Sequence, residues 1–306
     1  MARSDPIDAL GIETALVTGA TGNVGSWVVD HLADQGVRVT GVDLDRPNGT
    51  RMHASFRAVD LRDQAEAWET IYETEPDVIV HLAAISDPID TPGTRLFTNN
   101  VSATYNVMIA AGRAGIDVVW ASSQAAYGAL FRDGPWMPDY LPIDESHPLR
   151  PSDPYGTSKA CGERIAAMAA RRYGIAVTTM RPATIITPER SRARPVQDGV
   201  DLREDDTSGD FGSYVDVRDV ARMIEKAIAN GHDGHEIVHC VADENYLGES
   251  TAEIVEAICG ELPDQCDLDG LQAAYSNAKA ADVLEWTPAY AVPEHDLEAL
   301  ERPNWL

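Results

Sequence analysis

Residues 14–25, TALVTGATGNVG, decide how this chain folds. Thr14–Gly19 is short, apolar and rich in β-branched residues, which predicts a strand. Gly19, Gly22 and Gly25 then crowd a turn, with Thr21, Asn23 and Val24 between them. From Asn23 to about Gln35 the apolar residues take helical spacing. A glycine-rich turn between a strand and a helix is a phosphate cradle. Glycine lets the backbone turn tightly and approach a pyrophosphate. The helix N-terminus meets it with free N–H groups and the positive end of its dipole. Glycine triplets are common in turns, and the placement between strand and helix makes this one specific.

Outward from this unit the pattern repeats. RVTGVD (38–43), FRAVDL (56–61), DVIVHLAA (77–84), DVVWASS (117–123) and AVTTMRPA (176–183) read as strands. Helical stretches run through Trp68 and Tyr72, over 96–115 and over 155–173. Such alternation predicts right-handed βαβ units, and near-continuous apolar strands predict a parallel sheet covered on both faces. The expected fold is a doubly wound α/β sheet over about 12–183. Residues 188–213 are polar and turn-rich. A strand and helix over 214–228, a strand over 236–242 and a helix over 249–260 follow. The expected division is a dinucleotide-binding domain, 1–183, and a small substrate lobe, 184–306, with segments returning to the sheet.

Composition sets limits. A net charge of -26 over 306 residues, with only three lysines among 24 basic residues, describes an acidic surface kept soluble where salt screens it. We read it as an adaptation to high salt. It excludes the basic face that nucleic acid requires. No apolar run is long enough to span a membrane, and MARSDPIDALG lacks the apolar core of a signal peptide, so a cytoplasmic enzyme is expected. Cys161, Cys240, Cys259 and Cys266 form no paired motif and cluster with no histidine; no metal is expected, and most should be buried as small apolar residues.

Asp43 closes the second strand, where a carboxylate can accept hydrogen bonds from an adenosine ribose and repel the extra phosphate of NADP. That favours NAD, although Arg46 stands close by. Asp60 and Leu61, after the third strand, are candidates to bound the adenine. Tyr155 and Lys159 lie four residues apart, on one face of a helix. An ammonium beside a phenol stabilises its phenolate and makes the tyrosine a usable general base. The lysine is informative because this chain prefers arginine, and a guanidinium cannot replace a compact ammonium. Ser122 and Ser123 end a strand at its carboxyl edge, where open α/β sheets hold ligands.

GATGNVG (19–25), HLAA (81–84), NVSATYN (100–106), SSQAAYG (122–128), YGTSK (155–159) and Arg181-Pro182 occur in this order. Together, over about residues 12–230, they resemble the extended short-chain dehydrogenase/reductase family, which includes NAD-dependent sugar epimerases and dehydratases. The resemblance implies a Rossmann sheet with NAD as cofactor. It assigns the catalytic hydroxyl to Ser123, the base to Tyr155, and pKa control and ribose contact to Lys159. Asn100 becomes a helper in the active-site hydrogen-bond network that also contacts the cofactor. Leu82, Ala83 and Ala84 line the cofactor, Tyr127 is structural, and a homodimer forms through two long helices.

Only about 25 residues separate Arg181–Glu189 from YVDVRDVA (214–221), a lobe trimmed relative to nucleotide-sugar epimerases. The shorter version resembles uronate and aldose dehydrogenases, which oxidise a free sugar at its anomeric carbon. Oxidation of a small sugar is therefore the first expectation. Epimerisation of a UDP-sugar is the second, and a dinucleotide-binding regulator without turnover is the third. Ser86 and Gln124 are candidate substrate contacts. So are Phe131, Trp136, Tyr140 and His147 in the segment 128–150, and Arg192 and Arg194 beyond it.

Overall fold

The computed structural model describes residues 10–187, 209–290 and 303–306. The chain alternates as the sequence predicts: β1 (Thr14–Thr18), α1 (Gly25–Asp34), β2 (Arg38–Asp43), β3 (Ala54–Ala58), α2 (Gln64–Thr74), β4 (Val78–His81), α3 (Gly93–Ala114), β5 (Asp117–Ala121), α4 (Pro154–Tyr173) and β6 (Val177–Pro182). After β7 (Thr184–Ile186), β8 (Tyr214–Asp216) and α5 (Val217–Ala229), β9 (His235–Cys240) returns to the sheet. α6 (Thr251–Cys259) and α7 (Ala278–Leu284) follow.

Seven strands pair in the order β3-β2-β1-β4-β5-β6-β9, all parallel. The direction of winding reverses between β1 and β4, so the crevice for a ligand opens at the carboxyl ends of these two strands. Apolar residues pack on both faces. Val17, Val28, Leu32 and Ile224 belong to one layer, and Leu16, Ile79, Val107 and Val177 to the other. Each such side chain, fully buried, contributes roughly 1.5–3 kcal/mol. Helix ends follow local chemistry. Asp63 and Asp153 cap α2 and α4 by accepting two backbone N–H bonds each, and Gly115 and Gly174 end α3 and α4 at φ +73.

Three differences from the sequence reading have physical causes. β3 starts at Ala54 and ends at Ala58, not over 56–61, and it is half-exposed, because an edge strand pairs on one side only. Val59 and Leu61 leave the ladder and turn inward. The short β7 pairs in parallel with β8, a link made across about 30 residues that no local pattern announces. Of the cysteines only Cys240 is fully buried; the other three are half-buried, and all four are free thiols.

The second lobe has its own core. Trp136, Leu141 and Ile143, from the segment between β5 and α4, pack with Phe211, Val241, Ile254 and Tyr275. Leu141 and Ile143 also bridge to Cys266 and Tyr275. The lobe thus draws on a stretch ahead of residue 183 and gives β9 back to the main sheet. Among the described residues, no helix is long and apolar enough to cross a membrane, and no His, Cys, Asp and Glu group is arranged to hold a metal ion.

Candidate active site

A cleft of about 760 Å³ runs along the carboxyl edge of the sheet, from Asp43 past the glycine turn to Tyr155. That lies in the upper part of the ordinary range for ligand sites, roughly 300–1,000 Å³, and suits a long ligand with a small one beside it. Gly19, Thr21, Gly22, Asn23, Val24 and Gly25 all line it.

The turn is built from close approaches. Gly19 has φ +68, and a Cβ there would lie 2.9 Å from the backbone of Ala83. A Cβ on Gly25 would lie 2.0 Å from the Gly19 carbonyl oxygen. The first turn of α1 carries no acidic residue and no side-chain cap, whereas an aspartate side chain caps each of α2 and α4. The Ser26 amide donates to the Gly22 carbonyl at 3.1 Å, but no carboxylate competes for the positive end of α1, which fits a pyrophosphate.

Asp43 stands at the end of β2 with three of its lone-pair sites engaged. Oδ2 accepts from the Thr21 amide (3.0 Å) and hydroxyl (2.6 Å), and Oδ1 accepts from the Leu44 amide (2.8 Å). One site on Oδ1 is left for a ribose hydroxyl. Asp60 also lines the cleft, but Arg62 grips it with Nε at 2.8 Å and Nη2 at 2.5 Å, which holds its carboxyl below the usual range. Leu61 lines the same end. Arg62 does too, whereas Arg46 does not.

Leu82, Ala83 and Ala84 wall the middle of the cleft. The Leu82 and Ala83 amides donate to the Thr18 hydroxyl. That hydroxyl lies 2.7 Å from His81 Nδ1, whose Nε2 lies 3.3 Å from Thr104 Oγ1. Burial, with the nearby charge of Lys159, pushes His81 down to about 3, so it is a neutral strut between β1, β4 and α3.

At the far end the structure brings Ser123, Tyr155 and Lys159 to one wall. Lys159 is 4% exposed; its Nζ donates to the Ala121 carbonyl at 2.7 Å and lies 5.5 Å from the centre of the Tyr155 ring. Burial pulls the Lys159 ammonium down to about 8, partly opposed by Glu163 one turn along α4. Ser123 caps a short turn, Gln124–Tyr127, by accepting the Ala125 amide at 3.1 Å. Its hydroxyl hydrogen is not used by that cap and can be donated. Phe131 stands edge-on to Tyr155, with ring centres 6.2 Å apart.

Asn100 is placed differently from the sequence reading. It is buried behind the cleft and is absent from its wall. Its side chain accepts the Ile85 amide (2.8 Å) and donates to the Ile85 carbonyl (2.9 Å) and Ser158 Oγ (3.1 Å). An amide so fully engaged holds the loop after β4 against α4; its neighbour Asn99 lines the cleft instead.

Behind Ser123 lies a buried polar network. Ser122 Oγ donates to Glu163 at 2.8 Å, and Glu163 pairs bidentately with Arg181, both contacts 2.8 Å. Arg181 also donates to the Tyr127 hydroxyl (2.6 Å), which lies 2.6 Å from His239 Nε2. Burial raises Tyr127 well above the ordinary phenol range, so it remains protonated. Its phenol anchors the Ser123 turn to β6 and β9.

Ser86 and Gln124 line the cleft. Of the four aromatic candidates between β5 and α4, only Phe131 reaches it. Trp136 stacks on Phe211 in the lobe core, Tyr140 donates to Asp144, and His147 accepts the Asp139 amide. Arg192 and Arg194 lie outside the described residues. The sequence reading missed Asp210, Thr184 and Thr187, which also line the cleft. Asp210 is one of several acids in REDDTSGD (203–210), and nothing local distinguishes it.

Residues 15–240 match the sequence family described as NAD dependent epimerase/dehydratase. A UDP-glucose 4-epimerase of Mycolicibacterium smegmatis is 27% identical over 94% of this chain and 97% of its own. An L-arabinose 1-dehydrogenase (NAD(P)(+)) of Haloferax volcanii is 33% identical over 58% of this chain and 69% of its own. Several UDP-glucose 4-epimerases at 32% identity are matched over only 47–50% of their length. The structure of a glucuronic acid dehydrogenase from Chromohalobacter salexigens superposes with a TM-score of 0.65 at 21% identity, covering 95% of this chain and 98% of that one. At that identity the likeness establishes the fold alone.

Proposed function

The chain belongs to the NAD dependent epimerase/dehydratase family, and we propose that it oxidises a free sugar at its anomeric carbon, with NAD as the hydride acceptor. The observation that carries this reading is the meeting of Ser123, Tyr155 and the buried Lys159 in the same cleft as a glycine-built helix N-terminus without a side-chain cap.

The residues divide the work. The glycine turn and the α1 amides hold the pyrophosphate, and Asp43 holds the adenosine ribose. The Ser123 hydroxyl donates to the sugar oxygen and fixes it beside Tyr155. The Tyr155 phenolate takes the hydroxyl proton as the carbon–oxygen bond becomes a carbonyl, and the hydrogen on that carbon departs as hydride. Bound NAD supplies the acceptor. Lys159 stabilises the phenolate by its charge. The arabinose dehydrogenase among the relatives favours oxidation of a small sugar over epimerisation.

The test is a screen of free aldoses, uronates and UDP-sugars with NAD in concentrated salt. A rise in NADH with a free sugar is the expected result. Conversion of a UDP-sugar without net NADH overturns the proposal in favour of epimerisation, and cofactor binding with neither overturns it in favour of a regulator.

Lys159 gives a separate prediction. Its depression from 10.5 to about 8 corresponds to on the order of 3 kcal/mol, at 1.36 kcal/mol per tenfold change. The folded chain binds fewer protons than the unfolded chain between those pH values. Stability of the apo protein therefore rises as pH increases from about 8 towards 10.5. Lys159→Met is expected to remove turnover, yet to melt higher than the parent at neutral pH and to lack the alkaline gain. Thermal melts across pH check this; a variant that melts lower at neutral pH contradicts it.

A further inference from the structure

We propose that Glu163 and Arg181 are positioning residues for Ser123: joined as a buried pair, they grip the chain on both sides of it and so fix its separation from Tyr155. The inference deepens the reading of this cleft as a site of sugar oxidation and rests on Ser123 as the group that orients the substrate oxygen.

Tyr155, Lys159 and Glu163 follow one another at four-residue steps on one face of α4. Glu163 is buried, and its Oε1 accepts the Ser122 hydroxyl at 2.8 Å, so the residue ahead of Ser123 is tied to the helix that carries the base. On the other side, Tyr127 closes the turn Gln124–Tyr127. Its phenol accepts from Arg181 Nη1 at 2.6 Å, and Arg181 returns to Glu163 through Nε and Nη2, at 2.8 Å each. His239 Nδ1 donates to the Ser276 carbonyl (2.8 Å), which leaves Nε2 to accept the phenol hydrogen. The two grips meet in one ion pair, with Ser123 between them. Backbone packing sets the opposite limit. A Cβ on Gly156 would lie 2.4 Å from the Ala125 carbonyl oxygen, so the turn already touches α4 beside Tyr155. Packing decides how close the turn comes, and the pair keeps it there.

Stability alone does not account for the pair. Apolar residues of the same size often stabilise a core as well as a buried ion pair does. A forked contact of two bonds adds what they lack, a fixed distance and a fixed plane. Ser123 needs both, because its hydroxyl places the substrate oxygen at Tyr155, and a displacement of about 1 Å at a reacting group costs on the order of 100-fold in rate.

The test is a set of double-mutant cycles with Ser123→Ala. Ser122→Ala cuts one grip and Tyr127→Phe the other, and both keep the ion pair and with it the charges around Lys159. Arg181→Lys keeps the charge and gives up the fork. Turnover is followed as NADH from L-arabinose, D-galactose and D-glucuronate and as conversion of UDP-glucose, with NAD saturating. Deuterium exchange over residues 122–128 reports the turn itself. Each variant is expected to lose about 10- to 100-fold in kcat in the parent but less than about 2-fold in Ser123→Ala, with NAD binding unchanged. The amides of Ala125, Ala126 and Gly128, which bond to Ser123 and Ala125, should exchange about 10-fold faster while those of β1 keep the parent rate. Equal losses in both backgrounds overturn the proposal, since a network that merely supports the fold spares neither. Unchanged exchange in the turn overturns it too. If Arg181→Lys does not fold, the other two variants decide. Faster exchange confined to the turn, without turnover of any sugar, overturns the oxidation reading and upholds this one.

Discussion

Tyr155→Phe is expected to lower kcat for sugar oxidation by about 10²–10⁴-fold while NAD binding stays near the parent value, the range set by loss of a positioned general base. The change removes one oxygen. The ring keeps its edge-on contact with Phe131 and its place beside Lys159, so the cleft retains its shape. The sugar keeps its hydrogen bond from Ser123 but loses the group that takes its proton. Steady-state kinetics with saturating NAD, paired with a fluorescence titration of NAD, separate the two effects. A variant that retains more than a tenth of the parent kcat removes Tyr155 from the proton transfer.

The second large effect belongs to the glycine turn. Gly25→Val brings a Cβ to 2.0 Å from the Gly19 carbonyl oxygen, 2.8 Å from its carbon and 2.9 Å from the Ala20 Cα. All three neighbours are backbone, so no side chain can swing away. Either α1 is displaced or the turn opens, and in both cases the amides that face the pyrophosphate lose their aim. Overpacking of this kind costs about 1–3 kcal/mol or more, and a loss of about 3 kcal/mol in cofactor affinity is about 100-fold. Gly231→Ala is the control, since a Cβ there meets nothing within 4 Å. Calorimetric titration of NAD into both variants checks the prediction. Tight binding by Gly25→Val means that the cofactor lies elsewhere.

Much of this architecture is legible in one dimension because its determinants are local. A strand, three glycines and the start of a helix occupy twelve residues, and the Tyr155–Lys159 spacing is a property of one helix. What is not legible depends on residues distant in the chain. Nothing near Glu163 says that it will meet Arg181 and Ser122, and nothing near Tyr127 says that His239, over a hundred residues away, will sit 2.6 Å from its hydroxyl. Asn100 shows the converse. Its motif position drew it towards the reacting groups, but the side chain is spent on Ile85 and Ser158. The β7–β8 ladder and Asp210 escaped because three-residue strands and one acid among many carry no periodic signal.

The small lobe's core, assembled from residues on either side of α4, has a consequence for anyone who wishes to exchange one sugar preference for another. A graft of the C-terminal stretch alone would carry Phe211, Ile254 and Tyr275 into a new host but leave behind Trp136, Leu141 and Ile143, the other half of their packing. Transplants between relatives must therefore move both stretches together, as a matched pair threaded around an untouched catalytic helix.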